Sequence, residues 1–229
     1  MKNLRIEAII IAVGLVAMAL CIKMAIDSYS NNNRLVTVKG VSEMEVNADH
    51  VTWPMQFTQT GNDLVQLYES ISATNKVVIN FLTKNGISEE EISIAVPTIH
   101  DTQRDSYMRE LPEYRYMMSS NITVSTTNVE LVRRLVTKQS ELIGKGIAIQ
   151  THWIDYRFTS LNDIKPQMIE EATKNARQAA EKFAQDSQSK LGKIKRANQG
   201  QFTISDRDSN TSYIKRVRVV TTIDYMLED

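Results

Sequence analysis

The chain has 229 residues, of which 42% are hydrophobic and 24% are charged, and its 27 basic side chains balance its 27 acidic ones. This is the composition of an ordinary folded protein, and the length suits two small domains or one medium domain. Nucleic-acid binding requires a clustered positive field, and the sequence contains no basic patch dense enough to supply one. We therefore expect no nucleic-acid partner.

The N-terminal segment is apolar from Ala8 to Ile22 and contains the only cysteine, Cys21. The rest of the chain thus lacks the thiols of a structural disulfide, a thiolate zinc site or a cysteine nucleophile. A run this apolar has no polar face for water, which argues against a buried helix. An uncleaved membrane anchor over Leu4–Ile26 and a signal peptide cleaved near residues 17–19 both stay open. We favour the anchor, because apolar residues continue beyond that cleavage site.

Two basic residues, Lys2 and Arg5, precede the apolar run and favour a cytoplasmic N-terminus. We therefore expect a single-pass protein of the inner (cytoplasmic) membrane whose main domain is periplasmic. Cleavage and release into the periplasm is the lesser possibility. Residues 27–33 are polar and predict a short flexible tether, so anchor and tether together occupy residues 1–33.

Alternating apolar residues from position 34 onward predict strands. Within this pattern, Gly40 predicts a turn or bulge, and Pro54 predicts an edge position or bulge. The alternating residues are Leu35, Val36, Val38, Met44, Val46, Val51, Trp53, Met55 and Phe57.

Helical spacing follows, with Asn62 or Asp63 as its cap and Asn85-Gly86 at its end. The next segments predict one helical turn over 88–91, a strand over 92–99 and a loop over 100–112. A strand over 113–128, a helix over 128–146 and a strand over 147–161 follow. Between Val51 and Phe158 the order is therefore strand, helix, strand, strand, helix, strand.

This order predicts a ferredoxin-like βαββαβ unit, an antiparallel sheet with two helices on one face. The flanking segments, a strand region near 34–47, a long helix near 162–191 and two closing strands, predict a second α+β layer built from both chain ends. We therefore predict an α+β fold over residues 34–229. Residues 51–158 form its inserted ferredoxin-like subdomain, and residues 34–50 plus 159–229 form its outer subdomain.

The long helix has a face made mostly of alanine, which predicts close packing on the sheet of the terminal strands. Phe183 and Leu191 are expected to act as larger anchors. Asn162 or Asp163 is expected to cap the helix. The face consists of Ile169, Ala172, Ala176, Ala180, Phe183, Ser187 and Leu191.

Four stretches in the same order resemble the SIMPL-domain family of bacterial envelope proteins. They are "LVTVKGVSEMEVNADHVTW", "FTSLNDIKPQMIEEATKNARQAAEKFAQDSQSKLGKI", "NQGQFTI" and "KRVRVVTTIDYML". The resemblance implies a two-part α+β domain, export and, as in some members, ring-like homo-oligomers and a link to stress tolerance. It implies no catalytic residues. Many members have proline where this chain has Ala48, so the local turn is expected to differ.

No group of residues in the sequence predicts catalysis or metal binding. His50, His100 and His152 lack metal-ligand spacing, so we interpret them as separate, partly exposed side chains. The adjacent carboxylates at 89–91 and 170–171 are typical of a solvent-exposed surface rather than of an acid–base site. The P-loop, G-x-S-x-G and G-x-G-x-x-G motifs do not occur. We expect no catalytic, cofactor-binding or metal-binding residues, no cofactor and no enzymatic activity.

Three further stretches each have a structural and a functional interpretation. Asp206–Asn210 offers oxygen ligands but lacks the glycine and glutamate of an EF-hand, so an ordinary turn is favoured over a calcium site. Tyr114–Met118 is either the inner face of a strand or an adaptive contact surface. The cations Lys215, Arg216 and Arg218 either protect a strand edge or form an anion or partner site.

These features favour a membrane-anchored extracytoplasmic structural or interaction protein that forms a homo-oligomer. A small-ligand-binding module whose ligand shifts assembly is the alternative, and the sequence does not identify that ligand. An envelope enzyme is the third hypothesis. It would require a polar pocket that collects residues such as Glu113, His152 and Asp155.

Overall fold

The computed structural model describes residues 11–24, 34–104, 112–150 and 153–228, which form a mixed α+β protein with two antiparallel sheets. The predicted α+β class is confirmed. The described chain divides into two compact units. The first lies within Met1–Met44, Asn162–Ile204 and Arg216–Asp229, and the second comprises Glu45–Leu161 and Ser205–Lys215. The prediction had assigned all of 159–229 to one subdomain.

The strands of the described chain are β1 (Leu35–Asn47), β2 (His50–Gly61), β3 (Ile92–Ile94), β4 (Thr98–Asp101), β5 (Tyr116–Thr126), β6 (Asp155–Arg157), β7 (Lys190–Gln199), β8 (Thr203–Asp206) and β9 (Ile214–Glu228). The helices are α1 (residues 11–24), α2 (Leu64–Lys84), α3 (Val129–Lys138), α4 (Ser140–Ile143) and α5 (Leu161–Asp186), with a 3-10 turn at Glu89–Glu91.

Helix α1 covers only part of the predicted membrane span Leu4–Ile26, because residues 1–10 and 25–33 lie outside the described residues. No helix among the described residues combines the length and the apolar character needed to cross a bilayer. The anchor and the tether therefore stay predictions.

The sheet of the second unit has the order β3-β5-β2-β6, and β4 also pairs with β5. Strands β2 and β5 pair in antiparallel register from Val51 opposite Thr126 to Gly61 opposite Tyr116. The predicted strand over 92–99 is divided at Pro97 into β3 and β4. Residue 100, expected in a loop, belongs to β4, and residues 105–111 of that loop lie outside the described residues.

The core of the second unit lies between this sheet and the helices, because alternate residues of β2 and β5 are buried together with one face of α2 and α3. Asp63 caps α2 as predicted, since its carboxylate accepts hydrogen bonds from the N–H groups of Val65 and Gln66. The largest fully buried side chains of this core include Trp53, Met55, Ile71, Leu82, Met118, Ile122, Leu135 and Leu142.

Pro54 does not lie on an edge strand, as β2 is flanked by β5 and β6. The ladder with β6 ends at Thr52, and the next bridge on that side joins Gln56 to Gln150. Pro54 therefore falls where β2 needs no N–H donor on its β6 side.

The first unit contains a sheet in the order β1-β9-β7, with β8 also paired to β9. Strand β1 runs without a turn through Gly40, so the predicted turn there is wrong. A Cβ atom at residue 40 would lie 1.8 Å from the carbonyl oxygen of Ala172 and 2.5 Å from the nitrogen of Ala176. Gly40 is needed because the backbone of α5 lies directly on the strand.

Helix α5 buries a row of residues four positions apart, which forms one ridge of the helix. The row consists of Met168, Ala172, Ala176, Ala180 and Ala184. Ala176 and Ala180 pack in one cluster with Val38, Ile223 and Tyr225, which confirms the predicted alanine packing.

The larger anchors and the cap of α5 differ from prediction. Phe183 lies off the buried ridge and is 59% exposed, so its predicted role is wrong. Leu191 does pack against the cluster, but from β7, because the helix ends at Asp186. Asn162 and Asp163 already lie inside the helix and do not cap it.

Replacing Gly40 by alanine is expected to lower the free energy of unfolding by about 3 kcal/mol or more, because the new methyl group collides with helix backbone that cannot rotate away. Urea unfolding measures this loss. Gly61→Ala is the matched control, since its Cβ would lie 3.7 Å from the nearest atom of Leu67, an ordinary contact. Equal stability of the two variants would contradict the close approach.

Replacing Ala180 by leucine is expected to destabilise the protein by about 1 to 3 kcal/mol through overpacking, because Ala180 is fully buried on the sheet. Phe183→Leu, at an exposed position one turn away, is expected to be close to neutral. Denaturant unfolding of both variants measures the change in the free energy of unfolding. An unchanged free energy for Ala180→Leu would show that space remains under the helix.

Candidate functional site

An open groove of about 540 Å³ in the second unit is the candidate site. We call it the aromatic groove. Its volume lies within the range of about 300 to 1,000 Å³ that is usual for ligand pockets. It is lined by residues from α3, from the segment leading into β6 and from the β8–β9 turn, among them Arg133, Trp153, Tyr156, Asp206, Asn210 and Tyr213.

Tyr213 forms one wall of the aromatic groove and is held from three directions. Its carbonyl oxygen accepts a hydrogen bond of 2.8 Å from the N–H of Ala48. Its ring meets the ring of Tyr156 edge to face, with centroids 6.3 Å apart and an interplanar angle of 71°. The guanidinium carbon of Arg133 lies 3.5 Å from the centre of the Tyr213 ring. The aromatic wall is therefore preorganised.

Arg133 projects from α3, which begins after Asn128, whose side chain accepts a hydrogen bond from the N–H of Leu131. One helical turn sets the spacing between Arg133 and Glu130, whose carboxylate is 2.7 Å away. The arginine thus has a carboxylate on one side and an aromatic face on the other, and both compensate its charge.

The β8–β9 turn is an ordinary turn, as predicted, and the Asp208 carboxylate organises it. One carboxylate oxygen accepts hydrogen bonds from the N–H groups of Asn210 and Thr211, and the other accepts from the Thr211 hydroxyl and from Arg207. The Thr211 hydroxyl contributes most to holding the pKa of Asp208 at about 2, below its ordinary value. Because these donors occupy both oxygens, the Asp208 carboxylate stabilises the turn.

The cation cluster at the start of β9 does not protect a strand edge, because β9 lies between β1 and β7 in its sheet. Lys215 is buried and forms an ion pair with Asp206 in the aromatic groove. Arg218 pairs with Glu43 at 3.2 Å. The predicted edge role is wrong, since strand order depends on pairing between distant segments.

The two tryptophans of the chain lie in opposite environments. Trp53 is fully buried in the core of the second unit, whereas Trp153 is 70% exposed in the aromatic groove. Tyr156 is buried beside it, and this burial raises the pKa of its hydroxyl. The exposed indole of Trp153 lines the same groove as the rings of Tyr156 and Tyr213 and gives it a flat apolar surface that a ligand can cover.

The histidines and the candidate enzyme carboxylates that the structure describes do not line the aromatic groove. His50 shares a hydrogen bond of 3.0 Å with Ser125, His100 lies on β4, and His152 lies outside the described residues. Asp155 pairs with Arg157 at 2.5 Å, and neither Asp155 nor Glu113 lines the groove. Within the described ranges, no three His, Cys, Asp or Glu side chains are grouped to hold a metal ion.

The adjacent carboxylates have structural partners. Glu91 accepts a hydrogen bond from the N–H of Ser88 and another from the Thr126 hydroxyl. Glu171 accepts a hydrogen bond of 2.8 Å from Ser42. Within Tyr114–Met118, Met118 is buried on the inner face of β5 as predicted, whereas Tyr114 and Met117 are exposed, and the contact surface stays a prediction.

Comparison with protein families gives one match. Residues 36–220 match the model of the SIMPL family, described as "Protein of unknown function (DUF541)". The chain belongs to the SIMPL family. No curated protein matches it. Arg133, Trp153 and Tyr213 all lie in the matched range, so the aromatic groove is part of the SIMPL region of this chain.

The N–H of residue 48 has a defined role in this SIMPL chain. Ala48 donates it to the carbonyl of Tyr213, and proline has no N–H to donate. Alanine at this position therefore fixes the backbone behind the aromatic groove.

Sequence reasoning missed the residues that build the groove, namely Arg133, Trp153, Tyr156 and Tyr213. Trp153 falls in the predicted strand over 147–161, so its position gave no sign that it would be exposed in a groove. The other three gave none, since Arg133 and Tyr213 are 80 positions apart (213 − 133) and meet only in the fold.

Replacing Asp208 by alanine is expected to lower the melting temperature at pH 6, because the turn loses its acceptors. The folded pKa of Asp208 is depressed, so its charge stabilises the protein above the ordinary pKa of 3.8 and this contribution disappears as the pH falls towards 2. Thermal unfolding between pH 6 and pH 2 measures the difference between wild type and variant.

Asp208→Asn is the matched control, since its amide oxygen can still accept from the two N–H groups but carries no charge. The stability difference between Asp208→Asn and Asp208→Ala is expected to stay constant with pH. A wild-type advantage over both variants that persists undiminished at pH 2 would contradict the role of the charge.

Proposed function

We propose that this SIMPL chain is a membrane-tethered extracytoplasmic interaction protein, without catalytic activity, that self-associates through a strand edge. The observation that carries the proposal is an exposed apolar edge on the second unit, formed by Ile94, Val96 and Ile99. These side chains are 49%, 87% and 56% exposed. A contiguous apolar surface of this kind is typical of a protein contact site.

The apolar edge belongs to β3, β4 and the residues between them. Both strands pair with β5, and no other strand of the described chain pairs with them. Natural edge strands are usually protected by charges, bulges or proline. Apart from Pro97, the stretch from Ile92 to Ile99 carries no such protection and no charged residue.

Strand β7 in the first unit shows the contrasting arrangement. It also lies at a sheet edge, and its pairing with β9 has two irregularities in register. It carries four cations, Lys190, Lys193, Lys195 and Arg196. The chain therefore protects one edge against pairing and leaves the other apolar, which favours β3–β4 as the contact surface.

A second copy of the chain is the proposed occupant of the apolar edge. A two-fold interface places the same patch on both partners, so an apolar edge without charges is complementary to itself. One such patch per chain closes at a dimer, so a homodimer is the assembly that this edge predicts. A link to envelope stress tolerance belongs to the same proposal.

The exposed apolar side chains of α1 support the membrane tether. Its large hydrophobic residues are all more than half exposed, from Ile22 at 52% to Met24 at 71%. Such a surface is suited to lipid rather than to water. With Lys2 and Arg5 ahead of it, the proposed location is the inner membrane, and the two α+β units are periplasmic.

We further assign the second unit to the ferredoxin-like arrangement, because its strands follow the order β3-β5-β2-β6.

Replacing both Val96 and Ile99 by glutamate is expected to convert the assembled protein to monomer, because like charges would face each other across the edge. Light scattering on the full chain, with the detergent mass subtracted, measures the molecular mass. Ile143→Glu is the matched control, since Ile143 is 66% exposed on α4 and is expected to leave the mass unchanged. A wild-type monomer at micromolar concentration would overturn the proposal.

A second candidate function is ligand binding, and the aromatic groove specifically favours it. A rigid concave surface with an exposed tryptophan and several polar side chains fits a ligand site better than the solvated surface of a purely structural protein. The ligand would add to self-association, because a bound ligand that prefers the assembled state shifts the assembly equilibrium.

A further inference from the structure

We infer that the aromatic groove binds a neutral saccharide. This inference rests on the second candidate function and specifies its ligand class. Three properties of the groove lead to it: a flat aromatic surface, the internal compensation of its charges, and a rim of uncharged hydrogen-bonding groups.

The aromatic surface selects a ligand with a flat apolar face. Trp153 is 70% exposed and lines the same groove as Tyr213, which is held by Arg133 and by the Ala48 N–H. Aromatic rings carry a negative face that attracts weakly positive C–H groups. A pyranose ring presents such C–H groups on one of its faces and is flat enough to stack on an indole.

The charges in the groove are compensated by protein partners, so they favour no ionic ligand. Arg133 is paired with Glu130 at 2.7 Å and stacked on Tyr213. Asp206 is paired with Lys215. A charged ligand would have to compete with these pairs and lose its hydration without a free counter-charge. A neutral ligand meets no such cost.

The rim supplies the uncharged donors and acceptors that sugar hydroxyls require. Ser209, Asn210 and Ser212 line the groove from the β8–β9 turn. Within the described part of the chain, their side chains form no hydrogen bonds to the protein and remain available to a ligand. Asp208 already holds the turn in place, so little ordering is needed on binding.

The combination distinguishes a saccharide from other neutral ligands. A purely apolar ligand would leave the serine and asparagine groups without partners, which is unfavourable once water is displaced. An ordinary polar metabolite would leave the indole face uncovered. A saccharide satisfies both surfaces at once, because each ring carries an apolar face and a circumference of hydroxyl groups.

Tryptophan fluorescence tests the inference, since Trp153 reports on the groove and the buried Trp53 reports on the fold. The full chain, in a detergent without a sugar headgroup, is titrated separately with maltotriose, cellotriose and chitotriose. We expect a saturable change in emission, and protection of Trp153 from acrylamide quenching, with at least one of them in the millimolar range.

Variants assign the signal to the groove. Trp153→Ala is expected to abolish binding measured by calorimetry, Trp153→Phe to retain part of it, and Asn210→Ala to raise Kd about five-fold through one lost hydrogen bond. Ile143→Ala, exposed but outside the groove, is the control and is expected to bind like wild type. An unchanged far-ultraviolet circular dichroism spectrum verifies that each variant is folded.

The outcomes separate the ligand class from the function of the groove. Absence of Trp153-dependent binding with all three sugars overturns the saccharide inference. If a neutral proline-rich peptide then binds in a Trp153-dependent manner, the groove remains a ligand site with a different ligand class. If neither sugars nor the peptide bind, ligand binding as the second candidate function is overturned as well.

Discussion

The first unit depends on the direct contact between the backbone of α5 and β1 at Gly40. No side chain fits there, because a Cβ atom would lie 1.8 Å from the carbonyl oxygen of Ala172. The same short distance explains why the buried ridge of α5 is mostly alanine, since larger residues would lift the helix from the sheet. The sheet beneath it joins β1, from the start of the domain, to β9, from its end.

The second unit carries its candidate functional surfaces at the margin of its core, since Tyr156 belongs to the core and also lines the aromatic groove. The apolar edge lies on short outer strands, whereas the core is built from α2, α3 and the long strands β2 and β5. In the aromatic groove, Arg133 stabilises Tyr213, and Asp206 compensates the buried Lys215. These polar groups thus have structural duties, which is why the groove presents an aromatic surface without free charge.

Local signals in the sequence were sufficient for much of the fold. The alternation in β2 and β5, the Asp63 cap and the helical turn near residues 88–91 depend on neighbouring residues and are present as predicted. The turn predicted at Gly40 was wrong because a glycine in a strand can also mark a close approach of another backbone, which only the opposing helix reveals. The edge role of the β9 cations and the anchor role of Phe183 failed for the same reason, since strand order and helix rotation are non-local. The aromatic groove joins segments distant in sequence and therefore gave no local motif.

A SIMPL chain built in this way combines a close-packed helix–sheet layer with a second unit that carries an exposed apolar edge and the aromatic groove. Hydrogen exchange on the full chain tests the α5–β1 contact most directly, because backbone amides exchange through local opening wherever packing is weak. Amides of Ala172–Ala184 and of Val38–Ser42 are expected to exchange together and as slowly as those of the buried strand β9. Fast exchange of α5 while β9 stays protected would show that the helix opens independently, and would contradict the dependence of the first unit on this contact.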